Sequence, residues 1–306
     1  MPDFRDARLT EQRNPRTRDI DRSSALEIVD LLNAEDRTVP EAVAGARREI
    51  AQAIDMIEAA LRSGGRLLYI GAGTSGRLGV LDASECPPTF RTPPAMVVGI
   101  IAGGLPALVS PAEGAEDDRD AGAAAMDEHE VGPRDVVVGI AASGTTPYVH
   151  AALDCARKLG AGTVIVSCSP PPEALRESCD VCITIPVGPE AVTGSTRMKA
   201  GTATKLVLNT LSTGAMIRLG KVYGNLMVDL QAWSDKLVDR GERIVMETTG
   251  ATREEARTVI AAAGGKVKAA VVMQRRGLDL AAAERLLEEN GGHLRAIVGD
   301  PPPVRA

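Results

Sequence analysis

Five short apolar runs place the strongest constraint on the fold of this 306-residue chain. Each run is followed by small or turn-forming residues, and most are then followed by a segment with helical character. Apolar strands that alternate with helices are typical of a parallel sheet covered on both faces. The sequence therefore predicts an α/β fold, with strands at residues 66–70, 96–101, 135–141, 163–167 and 181–185.

Patterns outside these runs divide the chain into three predicted parts. Residues 1–25 are polar and predict an arm or a poorly ordered tail, and residues 26–245 form the main domain. Residues 246–300 predict a small domain of three short helices. Apolar periodicity and capping residues predict the other helices at residues 25–62, 77–83, 113–128, 148–159, 200–220 and 221–245.

The composition restricts the classes of ligand. Aromatic residues are 2% of the chain, which disfavours a surface that stacks bases or sugar rings. The net charge is −6 and basic residues form no patch, so we expect no nucleic-acid partner. Since no apolar run reaches the length of a membrane span, we expect no membrane partner. A small anion is still a compatible ligand, because local loops rather than net charge bind phosphate.

Cysteine and histidine usage favours a reduced, metal-free protein. The chain has 5 cysteines and lacks a secretory pattern, so we expect a cytoplasmic protein without a disulfide framework. Cys179 and Cys182 lie in a strand-like run, where residues three apart point to opposite faces and cannot clip one metal. His129, His150 and His293 are far apart in sequence. We therefore predict no metal site.

A glycine-rich segment follows the first predicted strand. Residues 71–76, Gly-Ala-Gly-Thr-Ser-Gly, match the G-x-G-x-x-G spacing of dinucleotide-binding folds. That interpretation requires an acidic residue after the second strand, where this chain has Ala102, Gly103 and Gly104. The alternative is a phosphate site at a helix N-terminus, formed by the backbone around Gly73 and Gly76 and by the Thr74 and Ser75 hydroxyls.

Two further segments have similar chemistry. Ser143, Gly144, Thr145 and Thr146 follow the third strand and open a helix. Because ligands of open α/β sheets bind at the carboxyl ends of strands, we expect this segment to approach residues 71–76. The third segment contains Ser195, Thr196, Arg197 and Lys199, whose hydroxyls and cations suit phosphate or carboxylate. Ordinary helix starts remain an alternative for these residues, and a solvated helix start is equally compatible with Arg197 and Lys199.

Glutamates follow the first two strands. Glu85 precedes Pro87 and Pro88, which fix the backbone and predict that no helix continues beyond it. Glu116 lies in an acidic segment, 113–118, at the predicted start of a helix, where capping is the alternative role. The spacing does not separate Glu116 from its acidic neighbours. Together the two glutamates suggest an acid–base pair beside a sugar phosphate.

Several long strings resemble bacterial N-acetylmuramic acid 6-phosphate etherases, over residues 10 to 298 approximately. The strings cover residues 32–40, 71–90, 139–144, 147–149, 188–205 and 221–229. The resemblance implies a sugar isomerase (SIS) fold, with five parallel strands in a three-layer α/β/α sandwich, and usually a homodimer. It also implies kinship with sugar-phosphate isomerases and the glucokinase regulatory protein, and a C-terminal unit similar to ubiquitin-associated three-helix domains.

The resemblance implies cleavage of the lactyl ether of N-acetylmuramic acid 6-phosphate, in the recycling of cell-wall sugars, without a metal or redox cofactor. The family's catalytic glutamates fall on Glu85 and Glu116, while Thr145 stands where many members have arginine. A non-catalytic sugar-phosphate sensor and an aldose–ketose isomerase on the same fold are the alternatives. We predict substrate contacts at Gly73, Thr74, Ser75, Gly76, Ser84, Glu113, Ser143, Gly144, Thr145, Thr146, Ser195, Thr196, Arg197 and Lys199, near a subunit interface.

Overall fold

A five-stranded parallel sheet forms the centre of the computed structural model, which describes residues 8–230 and 235–303. The strand order is β2-β1-β3-β4-β5. All five predicted strands are confirmed, and nearly all of their residues are buried, as expected for a sheet covered on both faces. The strands are β1 (Leu67–Gly71), β2 (Val97–Ile101), β3 (Val136–Ile140), β4 (Gly162–Ser167) and β5 (Val181–Thr184).

Helices cover both faces of this sheet. On one face, the side chains of Leu68 and Ile70 pack in a core with α6 (Pro147–Lys158) and its neighbour α5 (Arg119–Glu128). The next residue along β1 from Leu68, Tyr69, points to the other face, where its hydroxyl donates to Leu208 O at 3.4 Å. That face is covered by α3 (Arg47–Arg62), α4 (Gly73–Phe90) and α8 (Lys199–Arg218). The predicted three-layer sandwich is confirmed.

The helical region predicted at residues 25–62 contains three helices. Helix α1 (Ala25–Asp36) begins with a capping box between Ser24 and Glu27. Helix α2 (Val39–Gly45) follows, with Pro40 in its first turn, where the missing N–H of proline costs no helical hydrogen bond. Helix α3 begins at Arg47, directly after Ala46, so the predicted region is helical almost throughout.

The segment before α1 is not a free arm within the described residues 8–25. It forms three short 3₁₀ turns, and Thr10, Asn14 and Thr17 are buried. The amide of Thr10 donates to Ser169 Oγ at 3.4 Å, and the hydroxyl of Thr17 donates to Ala191 O at 2.7 Å. Polar composition misled the prediction because these hydrogen bonds allow polar side chains to be buried. Residues 1–7 of the predicted arm lie outside the described residues.

Two predictions around the glutamates were wrong. Helix α4 begins at Gly73 and continues through Glu85 to Phe90, with Pro87 and Pro88 inside it. Proline removes hydrogen bonds from a helix interior, but burial of Cys86 and Phe90 favours the helical path here. Helix α5 begins at Arg119 rather than at residue 113, because Asp118 is its N-cap and accepts a hydrogen bond from Ala121 N.

The chain forms two compact units. One contains the described residues up to Ser84 together with Pro94–Ser212, and the other contains Glu85–Pro93 and the described residues from Thr213 onward. The first unit also contains α7 (Glu173–Ser178) and a 3₁₀ turn at Leu105–Leu108. The domain boundaries at residues 25 and 245 stay predictions.

The second unit is mostly helical. A hairpin of β6 (Val222–Tyr223) and β7 (Leu226–Met227) replaces the first part of the helix predicted at 221–245, because Gly224 has a φ of 59° in its two-residue turn. Residues 231–234 of that prediction lie outside the described residues. Within the described residues, four helices follow residue 252, rather than the three predicted. The helices of this unit are α9 (Asp235–Thr249), α10 (Arg253–Ala262), α11 (Val267–Arg276), α12 (Leu280–Glu289) and α13 (Leu294–Val298).

Candidate active site

The carboxyl ends of β1 and β3 lie side by side at the point where the strand order reverses. Strand β2 lies on one side of β1 and β3 on the other, so the connections after β1 and β3 diverge. The two ends approach closely, since a Cβ built on Gly71 would lie 3.1 Å from Ile140 O. Such switch points are where ligands of open α/β sheets bind. The first two predicted segments therefore lie together at this edge.

The glycine-rich segment is largely the first turn of α4. Gly73 opens the helix with a φ of 52°, a left-handed conformation that glycine adopts readily. Gly76 is a packing position, because a Cβ there would lie 2.6 Å from Gly71 O. Thr74 and Ser75 are half-buried in the first turn. Their backbone and hydroxyls stand at a helix N-terminus after a strand, as a phosphate site requires.

The second segment forms a tight turn before α6. The hydroxyls of Ser143 and Thr145 lie 3.0 Å apart, and the Thr145 amide donates to Ser143 Oγ at 3.2 Å. Gly144 has a φ of 77°, and a Cβ there would lie 2.9 Å from Pro171 Cα. Thr146 is the N-cap of α6, yet its side chain caps no amide of that helix in the described structure. Its hydroxyl is thus available for a ligand.

Glu113 and Glu116 lie in a turn beside the first two segments. Both line a cavity of about 220 Å³ that Gly73 and Arg77 also line. The carbonyl of Glu116 accepts a hydrogen bond from Tyr148 N at 3.0 Å, in the first turn of α6. Both glutamates are exposed, and Glu116 is not a cap, since Asp118 has that role. Glu113, Glu116 and Gly73 therefore lie around one cavity within this unit.

Arg77 is a cavity residue that the sequence reasoning missed. Its Nε donates to Leu108 O at 3.1 Å and its Nη2 donates to Ser110 O at 3.3 Å. These hydrogen bonds hold the 3₁₀ turn after β2 against α4, and they place a cation in the cavity with two carboxylates. Its position directly after the glycine-rich string was the signal that could have identified it.

The third segment precedes α8 and lies near the first. A Cβ built on Gly201 would lie 3.6 Å from Thr74 Cγ2, which brings the start of α8 to the glycine-rich segment. Ser195 and Thr196 are half-buried and Arg197 is exposed. Within the described residues, no hydrogen-bond partner is found for the side chains of Thr74, Ser75, Thr146, Ser195, Thr196 and Arg197.

Lys199 differs from its neighbours, because only 1% of its surface is exposed. Its Nζ lies 2.6 Å from Glu35 Oε2, on α1. The alternative of a solvated helix start is therefore wrong for Lys199, and its ammonium is already bound. Desolvation raises the pKa of Glu35, but hydrogen bonds from Arg16, Lys199 and Asn14 outweigh it, so this pKa is below its ordinary value.

Glu190 occupies the N-terminus of α8. Its carboxylate accepts hydrogen bonds from Lys199 N at 3.1 Å and Ala200 N at 2.9 Å. Burial raises the pKa of Glu190, although these two amides act in the opposite direction. Because Glu190 already satisfies these amides, the third segment offers a ligand its hydroxyls and Arg197 rather than the helix terminus.

Glu85 and Ser84 lie next to each other on α4, at the boundary between the two units. Both are exposed, and the Ser84 hydroxyl donates to Leu81 O, in its own helix, at 2.8 Å. Glu85 belongs to the second unit and Ser84 to the first. The roles of both residues stay predictions.

Among residues 8–230 and 235–303, no group of three histidine, cysteine, aspartate or glutamate side chains could hold a metal ion. In the same part of the chain, no helix is both long enough and apolar enough to cross a membrane.

Comparisons with known proteins are extensive. Residues 49–157 match the family profile described as the glucokinase regulatory protein N-terminal SIS domain. The chain is 54% identical to N-acetylmuramic acid 6-phosphate etherase of Serratia proteamaculans, over 95% of this chain and 98% of that protein. It is 52% identical to the etherase of the same name from Synechocystis, over 96% of each.

Among solved structures, a phosphoheptose isomerase from Francisella tularensis matches with a TM-score of 0.47 at 17% identity. That match covers 64% of this chain and all (100%) of the isomerase. The full-length identity to the two etherases is far above what shared fold alone produces. The chain belongs to the family of N-acetylmuramic acid 6-phosphate etherases.

Proposed function

We propose that this protein is a carbon–oxygen lyase that cleaves the D-lactyl ether of N-acetylmuramic acid 6-phosphate. The products are N-acetylglucosamine 6-phosphate and D-lactate, formed in cytoplasmic recycling of cell-wall amino sugars. The observation that supports this most strongly is 54% identity to an etherase over 95% of the chain. The cavity that joins Gly73 to Glu116, beside the free hydroxyls at the sheet edge, is consistent with it.

The chemistry follows from the position of the ether. In the open-chain sugar the ether oxygen is on C3, β to the C1 aldehyde, so the C2 proton is acidic. A base removes that proton, an acid protonates the ether oxygen, and lactate leaves. Water then adds to C3 of the unsaturated aldehyde, and C2 recovers a proton. For these steps the protein needs to supply only proton transfers, which two carboxyl groups provide.

We assign Glu85 as the proton donor to the ether oxygen and Glu116 as the second acid–base group. Which glutamate removes the C2 proton is a separate question that isotope exchange addresses. Arg77 lines the same cavity as Glu113 and Glu116.

Phosphate and sugar hydroxyls bind, in this proposal, to the segments at the carboxyl ends of the strands. The side chains with unused donors and acceptors are the first candidates, and Arg197 supplies the cation for a bidentate contact. The Thr145 hydroxyl pairs with that of Ser143. Because threonine is uncharged, it provides no cation where many members of the family have arginine. The proposed contacts are Gly73, Thr74, Ser75, Gly76, Ser84, Glu113, Ser143, Gly144, Thr145, Thr146, Ser195, Thr196 and Arg197.

We also propose that the protein is a homodimer with its sites near the interface. Leu105 and Val109 are 79% and 88% exposed in the single chain, and a partner subunit would remove this apolar surface from water. Light scattering coupled to size exclusion measures the mass directly, and a monomer at micromolar concentration would contradict this part.

The activity test measures D-lactate released from N-acetylmuramic acid 6-phosphate by the wild type and three variants. We expect Glu85→Gln and Glu116→Gln to slow release at least about 100-fold, the usual contribution of one acid–base group. Glu113→Gln is the matched control, because Glu113 lines the same cavity. We expect Glu113→Gln to lose less activity, and to lose it through a raised KM.

Three results would contradict the proposal. Normal lactate release by Glu85→Gln would contradict the assignment of Glu85 as proton donor. Equal losses of activity in Glu113→Gln and Glu116→Gln would contradict the choice of Glu116 as the second acid–base group. Tight sugar-phosphate binding by the wild type without lactate release would favour the non-catalytic sensor.

A further inference from the structure

A buried ion pair lies directly behind the third phosphate segment. Lys199 and Glu35 are 1% and 2% exposed, and their charged atoms are 2.6 Å apart. Removing two charges from water costs free energy that their attraction often fails to recover, so such a pair is weak evidence for stability alone. A buried pair can instead select one local geometry.

Two carboxylates hold Lys199, one through its side chain and the other through its backbone amide. Glu35 binds the Lys199 side chain, and Glu190 accepts the Lys199 backbone amide at 3.1 Å. Two elements distant in sequence, α1 and the segment after β5, thus fix the first residue of α8. The residues before it, 194–198, form a turn in which Met198 N donates to Ser195 O at 3.1 Å. This turn leads directly into Lys199, which the two carboxylates hold.

The N-terminal segment adds to this anchor. Arg16 contacts the same carboxylate, with its Nη2 2.9 Å from Glu35 Oε2. Asn14 Nδ2 donates to Pro189 O at 3.2 Å, immediately before Glu190. Residues 14–16 therefore connect the two carboxylates that hold Lys199.

We propose that Glu35 is a positioning residue for phosphate binding: through Lys199, it orients the Ser195–Arg197 turn toward the glycine-rich segment. Lys199 is then a structural link rather than a ligand of the phosphate. This inference rests on the proposed function for the assignment of that turn to phosphate. Glu35 itself touches no substrate.

The test compares two variants that each remove one buried carboxylate charge. Glu35→Gln leaves Lys199 as a buried cation without its anion. Asp135→Asn is the matched control, because Asp135 is 6% exposed, pairs with Arg66 at 2.7 Å, and lies at the amino end of β3, opposite the motifs. Thermal unfolding measures the stability of both variants, and calorimetry measures their affinity for inorganic phosphate and N-acetylglucosamine 6-phosphate.

We expect both variants to unfold at lower temperature, while only Glu35→Gln loses affinity, at least tenfold for both probes. The double variant Glu35→Gln/Lys199→Gln removes the unpaired charge and keeps a hydrogen-bonding pair, so we expect it to recover part of that affinity. Lactate release by Glu35→Gln should show a raised KM with a smaller change in kcat.

Other outcomes overturn the inference. Unchanged affinity in Glu35→Gln, or equal losses in Asp135→Asn, would reduce Glu35 to a stabilising role. Tighter binding in Glu35→Gln would identify Lys199 as a phosphate ligand that Glu35 restrains, and absence of phosphate binding by the wild type would remove the premise. Lactate release by the wild type tests the proposed function separately from these binding results.

Discussion

At the scale of single residues, the site depends on which polar groups are already engaged. Lys199 and Arg197 are two residues apart and carry the same charge, yet one ammonium is bound by Glu35 and the other cation is exposed. Likewise, Asp118 caps α5, and Glu116, two residues earlier, is left to line the cavity. Under the proposed function, the groups that folding leaves without a structural partner are the candidates for substrate contact.

The glycines of the first segment give a prediction at the same scale. Gly76→Ala places a Cβ 2.6 Å from both Gly71 O and Ile101 Cγ1, where backbone cannot move aside cheaply. We expect a loss of about 2 kcal/mol or more in the free energy of unfolding. Gly45→Ala, at the end of α2, meets no atom within 4 Å, and should be neutral or stabilise by up to about 1 kcal/mol. Urea denaturation compares the two, and similar losses would contradict the steric argument.

At the scale of elements, a helix end sets the position of the turn that contains Glu113 and Glu116. Asp118 accepts from Ala121 N at 2.9 Å, and Asp279 accepts from Ala282 N at 2.8 Å at the start of α12. The two caps are alike in hydrogen-bond distance and exposure, but only the first follows the turn of Glu113 and Glu116. A cap next to that turn also fixes where the helix begins, and therefore where the glutamates lie.

We therefore expect Asp118→Ala and Asp279→Ala each to lower stability by about 1 kcal/mol, the usual contribution of an N-cap. Only Asp118→Ala should also slow lactate release, because the turn before α5 loses its fixed end. Thermal unfolding and the lactate assay on both variants separate these effects. An equal loss of activity in Asp279→Ala would show that general destabilisation is the cause.

Element boundaries also show how far local sequence information extends. All five strands were predictable, because buried parallel strands are continuous apolar runs that need no partner to be recognised. The continuation of α4 through Pro87 and Pro88 was not predictable. Local propensity opposes a helix there, and the burial of Phe90, which favours the helix, is visible only in the folded structure. The start of α5 was missed since any of four acidic residues could have been its cap.

At the scale of the whole molecule, ion pairs link distant segments of the first unit. Arg66, before β1, donates to Asp135, before β3, at the amino end of the sheet. Glu35 and Lys199 connect α1 to α8 near the carboxyl end. Desolvation raises the pKa of Asp135, but hydrogen bonds from Arg66 and Gly132 outweigh it, so this pKa is below its ordinary value.

This direction determines the dependence of stability on pH. Because the pKa of Asp135 is lower in the folded than in the unfolded state, its stabilising contribution is complete above the unfolded pKa of about 4. It disappears as the pH falls through the folded pKa. We expect Asp135→Asn to cost about 2 kcal/mol at pH 7, and the gap to the wild type to shrink below about pH 4. A gap that stays constant between pH 7 and pH 3 would contradict this linkage.

The sequence by itself predicted the parallel α/β sandwich and, through resemblance, the family, and both are confirmed. The three phosphate-type segments and the two glutamates also come from the sequence, and their roles stay predictions. These features are local: apolar runs, glycine spacings and long matching strings are visible without knowing which residues meet. Only the tertiary structure decided that residues 8–25 are packed, that Arg77 lies in the cavity with Glu116, and that Glu35 binds Lys199. The reason is physical. The role of a charged side chain depends on its partner, and Glu35 and Lys199 are 164 positions apart, a separation that no local pattern can bridge.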